Sequence, residues 1–379
     1  MKINIAGDFF INDTIKAPLE LIENIIPIFE KADFNIINLE SPITNADKTN
    51  KILKVGPHLN GHPATFNILK MMHVNLVTLA NNHIMDYGKK GLEDTLKSLK
   101  ANQINYVGAG LNLKDASKVI TLDKEGFKIG ILNFAENEWS IAGEELPGAN
   151  PLDIIENVKQ IKEAKAKHDK LMIIIHGGHE HYHLPSPRMI KQYRFYAENG
   201  ADIIIGHHTH CISGYEVYNK VPIFYSLSNF LFTLDSKHES WNSGLLLNLE
   251  ILPGQDIVFE LFPIEQQKPT FKVVILKDEE KENMLKKINE YNQIIMDNNL
   301  IHQHWVNFST NSSNEYLSCF SPVNIFSNRY IRYGLRRLNL YNLFLRKQNL
   351  KEILNIIRCE AHADISKEII KRRLINKSK

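Results

Sequence analysis

The sequence predicts an α/β fold with a helical C-terminal appendage, and three observations carry that prediction. Apolar runs of strand length alternate with segments of helical periodicity from residue 3 to residue 205. Between residues 214 and 263 such runs follow one another with only turn residues between them, as antiparallel strands do. From about Lys277 the pattern turns helical and charged. At 43% hydrophobic and 23% charged residues, the 379-residue chain has the composition of a packed core.

Taken in order, the run 3–6 is a short strand that stops at Gly7-Asp8. Leu19, Ile22, Ile25, Ile26 and Phe29 recur at helical spacing. The run 34–39 is a second strand ending at Glu40, and residues 41–62 read as a long polar loop. A third strand, 74–79, ends at Ala80-Asn81-Asn82-His83, and a helix follows over 89–100. Runs 118–123 and 127–134 flank Lys124-Glu125-Gly126, a hairpin signal. Residues 153–168 are helical, and the buried strand 171–175 ends at His176. Pro187 opens a helix that Gly200 closes. The strand 201–205 leads into Gly206-His207-His208-Thr209-His210.

Bulk properties exclude several classes. A net charge of +2 gives no overall bias toward nucleic acid, but residues 329–379 hold fourteen Lys/Arg against four Asp/Glu. Cys211, Cys319 and Cys359 are odd in number, far apart and without a C-x-x-C pair. A disulfide framework or thiolate zinc site is therefore not expected. The first apolar run meets Asp8 too early for a signal peptide, and no run of about 18 apolar residues occurs. The expectation is a cytoplasmic protein.

The chemistry lies at the strand ends. Asp8, Glu40, Asn82-His83, His176 and His208-x-His210 each end a strand, and ligands of open α/β sheets bind beyond the carboxyl ends of strands. Strand alternation would turn the His208 and His210 rings to one side. Taken singly, Asp8 reads as a cap, Asn81-Asn82 as turn residues and His176 as a loop histidine. Together they read as a metal centre. Two divalent ions need one bridging carboxylate, which Glu40 suits, and neutral nitrogen and oxygen donors that leave positions open. Asp8 suits one ion, Asn82 offers an amide oxygen, and His176, His208 and His210 offer nitrogens. His83 is left free to protonate a leaving oxygen, with Asp86 as its orienting partner. Donors of this kind fit Mn, Fe or Zn.

This pattern resembles a known family. Gly7-Asp8, Asn38-Leu39-Glu40-Ser41-Pro42, Ala80-Asn81-Asn82-His83 with Asp86 and Gly88, and His176-x-Gly178-x-Glu180 look like the bacterial CapA-type poly-γ-glutamate capsule-synthesis family. The stretches 200–210, 215–218 and 222–230 extend the likeness to about residue 264. The resemblance implies a metallophosphoesterase-like α/β/β/α sandwich over residues 1–268, followed by a basic helical region over 269–379. It implies one ion on Asp8, Glu40 and His210, a second on Glu40, Asn82, His176 and His208, and His83 as acid. Phe10 stands where phosphoesterases of this class carry a histidine, and Ser228 where the family usually has glycine.

The function expected is a metal-dependent, phosphoesterase-like hydrolase linked to capsule, poly-γ-glutamate or other cell-envelope polymer biosynthesis. The alternative is a non-hydrolytic metal-containing component of polymer synthesis or export. The expected partner is an anionic polymer or a phosphate-containing envelope intermediate, with membrane-surface contact through the basic C-terminal region. Nucleic acid is not expected, because no recognised module appears.

Overall fold

A computed structural model of the chain describes residues 1–15, 18–312, 328–343, 345–358 and 370. Cys319, Phe344, Cys359 and Lys371-Arg372-Arg373 lie outside the described residues. By contacts the chain forms two compact units, Met1–His302 and Gln303–Lys379. Every candidate ligand lies in the first. No helix among the described residues is long and apolar enough to cross a membrane.

The first unit runs β1 (Lys2–Phe10), α1 (Ile26–Phe29), β2 (Phe34–Leu39), α2 (Thr65–Met71), β3 (Leu76–Thr78), α3 (Gly88–Ala101), β4 (Asn105–Val107), β5 (Ala109–Gly110) and α4 (Leu113–Ala116). It continues with β6 (Ile120–Lys124), β7 (Phe127–Ala135), β8 (Gly148–Ala149), α5 (Ile154–Lys165), β9 (Lys170–His176), α6 (Pro187–Glu198) and β10 (Ile203–His207). It closes with β11 (Tyr215–Tyr218), β12 (Val221–Phe224), β13 (Asn229–Phe232), β14 (Ser243–Glu250), β15 (Val258–Gln267), β16 (Lys272–Ile275) and α7 (Asp278–Met296). Helix α8 (Asn298–Asn311) follows in the chain, and the second unit holds α9 (Arg329–Arg337) and α10 (Lys347–Arg358).

The strands form two large sheets. One has the order β16-β15-β14-β1-β2-β3-β4, with β13 also paired to β1, and the other β11-β12-β10-β9-β7-β6. Alternation along the strands supplies both faces of each sheet. Ile3, Ile5, Ile36 and Leu76 of the first meet Ile131, Met172, Ile174 and Ile205 of the second in a common core. The outer face of the first sheet takes Phe29, Leu69, Leu92 and Leu99 from α1, α2 and α3. That of the second takes Ile161, Met189, Tyr193 and Tyr196 from α5 and α6. The result is the α/β/β/α sandwich that the sequence implies.

Three features differ from the sequence reading. Residues 214–263 are not uniformly antiparallel. Strand β11 doubles back at the sheet edge, so β12 slots in beside β10 and runs parallel to it. Strand β13 runs parallel to β1, because the chain crosses from the second sheet to the first after β12. Asp8 does not end a strand but lies inside β1, at a bulge where the register to β2 shifts between Ala6 and Asp8.

That bulge depends on Gly7. A Cβ at Gly7 would sit 2.0 Å from the Ser228 carbonyl oxygen, and the Asp8 amide donates to the same oxygen at 2.9 Å. Ser228 holds φ +62°, the left-handed conformation that favours glycine. Gly7→Ala should therefore force β13 away from β1 and destabilise the fold by about 2–3 kcal/mol, read as a lower urea midpoint at unchanged m-value.

Candidate metal centre

Five chain segments bring their polar groups to one buried point. Asp8 comes from the bulge of β1, Glu40 from the residue after β2, Asn82 from the turn after β3, His176 from the last position of β9, and His208 and His210 from the loop after β10. Asp8 and Glu40 are fully buried, and His176, His208 and His210 nearly so. The histidine pair reaches the site by another route than strand alternation. Strand β10 ends at His207, and His208 and His210 take φ of +91° and +52°. Left-handed backbone at two non-glycine residues is strain of the kind that collects at functional sites.

The donor atoms fall into two groups that share Glu40. In the first, His176 Nε2 is 3.0 Å from Asn82 Oδ1, 3.0 Å from His208 Nδ1 and 3.5 Å from Glu40 Oε1. Atoms bound about 2.1 Å from one ion lie roughly 3.0–3.5 Å from each other, so these four fit one cation. In the second, His210 Nδ1 is 3.7 Å from Asp8 Oδ2, and His210 Nε2 is 3.8 Å from Glu40 Oε1. Neither oxygen of Glu40 has a hydrogen-bond partner among the described residues. A buried carboxylate with no donor is costly, and a cation between the donor groups would satisfy it.

Neighbours fix the donors in place. Asn38 Nδ2 donates to Asp8 Oδ1 at 2.7 Å and lies 3.2 Å from His176 Nδ1, while its own Oδ1 accepts from Thr78. Asn229 Oδ1 lies 2.8 Å from His210 Nδ1, which directs that ring's Nε2 toward Glu40. The His208 amide donates to Asp8 Oδ2 at 3.0 Å. Both nitrogens of buried His207 lack hydrogen-bond partners, and its Nδ1 is 3.5 Å from Asp8 Oδ1.

Burial dominates the electrostatics. It pushes Asp8 up to about 7, against the hydrogen bonds from Asn38 and His208. It holds Glu40 well above the usual carboxylate range, aided by the charges of Asp8 and Glu180. It lowers His176 and His210 well below ordinary histidine, His208 to about 4 and His207 to about 3. The imidazoles are thus neutral, as metal donors must be, and the two acids are the groups a cation would return to their charged form.

His83 stands beside this cluster with Asp86, as the sequence suggests, and with Lys54, which the sequence did not reveal. Asp86 is fully buried. Its Oδ2 lies 2.7 Å from His83 Nδ1 and accepts from the Leu59 amide at 2.6 Å, while its Oδ1 accepts from Lys54 Nζ at 2.5 Å. Lys54 Nζ is 3.1 Å from His83 Nδ1. The shorter contact assigns the Nδ1 hydrogen to the carboxylate, which leaves Nε2 as the ring nitrogen for proton traffic. Burial lowers the pKa of His83, and Asp86 works against that shift.

The position at which phosphoesterases of this class carry a histidine has a different use. Phe10 is buried with Leu59, Phe232 and Trp241. Trp241 and Phe232 in turn pack on the His210 ring, at centroid distances of 4.4 and 5.0 Å. One flank of the second donor group is therefore an aromatic wall. Its donors are more widely spaced than those around His176.

Comparison with known proteins shows the family of the chain. A family model described as "Bacterial capsule synthesis protein PGA_cap" matches residues 2–234. The chain is 34% identical over 253 residues to "PGA biosynthesis protein CapA" of Bacillus subtilis (strain 168), covering 66% of each. It is 30% identical over 261 residues to "Capsule biosynthesis protein CapA" of Bacillus anthracis, covering 67% of this chain and 63% of that one. It thus spans a little under two thirds of these relatives' own length. A hypothetical protein from Thermus thermophilus superposes with a TM-score of 0.45 at 13% identity, covering 70% of this chain and 99% of that one.

Two outcomes test the electrostatics. Lys54→Met leaves the Asp86 charge buried without its cation and should cost about 3 kcal/mol in urea unfolding, most of it recovered by adding Asp86→Asn. The second concerns pH in chelator-treated protein. Unfolded His207 binds a proton near pH 6.5 and the folded form only near 3, so its contribution to stability is lost as pH falls below 6.5. Asp8, raised to about 7, acts in the opposite sense over the same range. Subtracting His207→Asn from wild type isolates the histidine. Between pH 7 and 5 the wild type should lose about 2 kcal/mol relative to the variant.

Proposed function

The chain belongs to the family of bacterial capsule synthesis proteins, and on that premise we propose that it is a two-metal hydrolase of phosphoesterase type serving capsule or poly-γ-glutamate biosynthesis. One observation carries the reading. The Glu40 carboxylate is buried, without a hydrogen-bond donor among the described residues, between two groups of nitrogen and oxygen donors. In the proposal Asn82, His176, His208 and Glu40 hold one ion, and Asp8, His210 and Glu40 the other. Such ions supply Lewis acidity toward a phosphoryl oxygen and acidify water.

The chain's own groups do the rest. Asn229 Oδ1 accepts from His210 Nδ1 and so keeps that ring's Nε2 toward Glu40. Asp86 holds His83 by Nδ1, so that Nε2 is the nitrogen offered to a leaving oxygen. An anionic substrate beside the ring favours its charged, proton-donating form, which burial alone disfavours. Substrate in this reading is a phosphate-containing envelope intermediate. The aromatic wall at Phe10 favours a second reading, in which a singly loaded centre binds an anionic polymer such as poly-γ-glutamate without hydrolysis.

Elemental analysis should find two ions per chain after loading with Mn, Fe or Zn, one of them lost first on dilution. The loaded protein should hydrolyse bis-p-nitrophenyl phosphate. His208→Ala should lower turnover by about a hundredfold or more together with metal content. His83→Ala should lower turnover by about a hundredfold with metal content unchanged. A metal-loaded protein inert toward aryl mono- and diesters with all three metals would refute the hydrolase, and one ion per chain with poly-γ-glutamate binding would support the second reading.

A further inference from the structure

We propose that the second unit docks the protein on anionic lipid surfaces through an amphipathic helical segment, independently of the metal centre. The segment comprises α9 and α10, described here within the second unit alone. At 3.6 residues per turn, Arg329, Arg332, Arg336 and Arg337 of α9 fall on one side. Tyr330, Ile331, Gly334, Leu335 and Leu338, the residue that caps its C-terminus, fall on the other. In α10, Leu350, Ile353, Leu354 and Ile357 line one side, with Lys347 and Lys351 beyond its border.

Exposure and charge together choose the occupant. Ile331, Leu338 and Leu343 are 47%, 69% and 71% exposed, and Leu354 and Ile357 are 55% and 56% exposed. Stripes of this kind usually turn inward, and here, among the described residues, Ile331 and Leu338 of α9 and Leu354 and Ile357 of α10 face water. Residues 328–358 hold eight Lys/Arg against one acid, whereas residues 1–328 hold thirty-one Lys/Arg against thirty-nine Asp/Glu. The segment is thus drawn to anionic surfaces that repel the body of the protein. A soluble polyanion would need the arginines alone. An interface that takes both the cations and the apolar side is the headgroup and acyl boundary of an anionic bilayer.

The test is flotation of the full chain with vesicles of pure phosphatidylcholine and of phosphatidylcholine with 30% phosphatidylglycerol. The protein should float only with the second. The pair Ile331→Asn and Leu338→Asn should weaken partitioning about tenfold or more, and Arg332→Gln with Arg337→Gln should weaken it similarly and flatten its salt dependence. Leu338→Met should bind as wild type does, and the far-ultraviolet ellipticity of each variant shows whether the helices persist. No flotation with either vesicle overturns the proposal. So does binding that the two asparagines, which leave the charge unaltered, do not weaken, which is what a purely electrostatic contact, as with free poly-γ-glutamate, would give.

Discussion

A carboxylate that water cannot reach and no donor among the described residues satisfies is the constraint around which this molecule is organised. Ionised Glu40 in that position would cost several kcal/mol without a counter-charge, and the fold places it there from the end of β2. The surroundings make sense as responses to that choice. Asn229 braces the His210 imidazole that faces it. The close contact of Gly7 with Ser228 brings β13 against Asp8. The left-handed backbone at His208 and His210 sets strain at the point where a bound cation would return energy. Stability and binding are therefore linked in one place, rather than spread over the sandwich.

The two donor groups are unequal for a physical reason. Three of the nitrogen and oxygen atoms around His176 already sit at ligand-to-ligand spacing. The group around His210 is looser and leans on Trp241 and Phe232. An aromatic wall lowers the local dielectric and narrows access, and it supplies no donor. In a family whose relatives are named for capsule and polyglutamate biosynthesis, that asymmetry is what the two proposed readings turn on.

Much of this was legible from the amino acids. Glu40, Asn82 and His176 follow apolar strands directly, so their convergence could be read from the alternating pattern. The pairing of His83 with Asp86 follows from a three-residue spacing within one turn. Other parts were hidden. Asp8 read as a strand end because Gly7-Asp8 interrupts the apolar run, whereas a bulge carries the strand on through both to Phe10. The direction of β12 depends on which strand it joins, and no local signal encodes that. Strands β13 and β16, four residues each, were not read as strands from the sequence. Lys54 lies in a polar loop 29 residues before His83, and only the folded chain shows that its ammonium is buried against Asp86. Asn38 hid in plain view as an interior strand residue whose amide faces the ligands.

The placement of β1 has a consequence for how the centre is made. Its neighbours on one side are β13 and β14, and the Met1 ammonium donates to the Ile251 carbonyl oxygen, 250 residues away. Closing so long a loop is slow and comes late. A nascent chain on the ribosome can expose Glu40 and Asn82 early, yet Asp8 has no seat until residues 229–250 have been synthesised and have threaded in beside it. Completion of the donor group that contains Asp8 is thereby deferred to the pairing of β1 with β13 and β14.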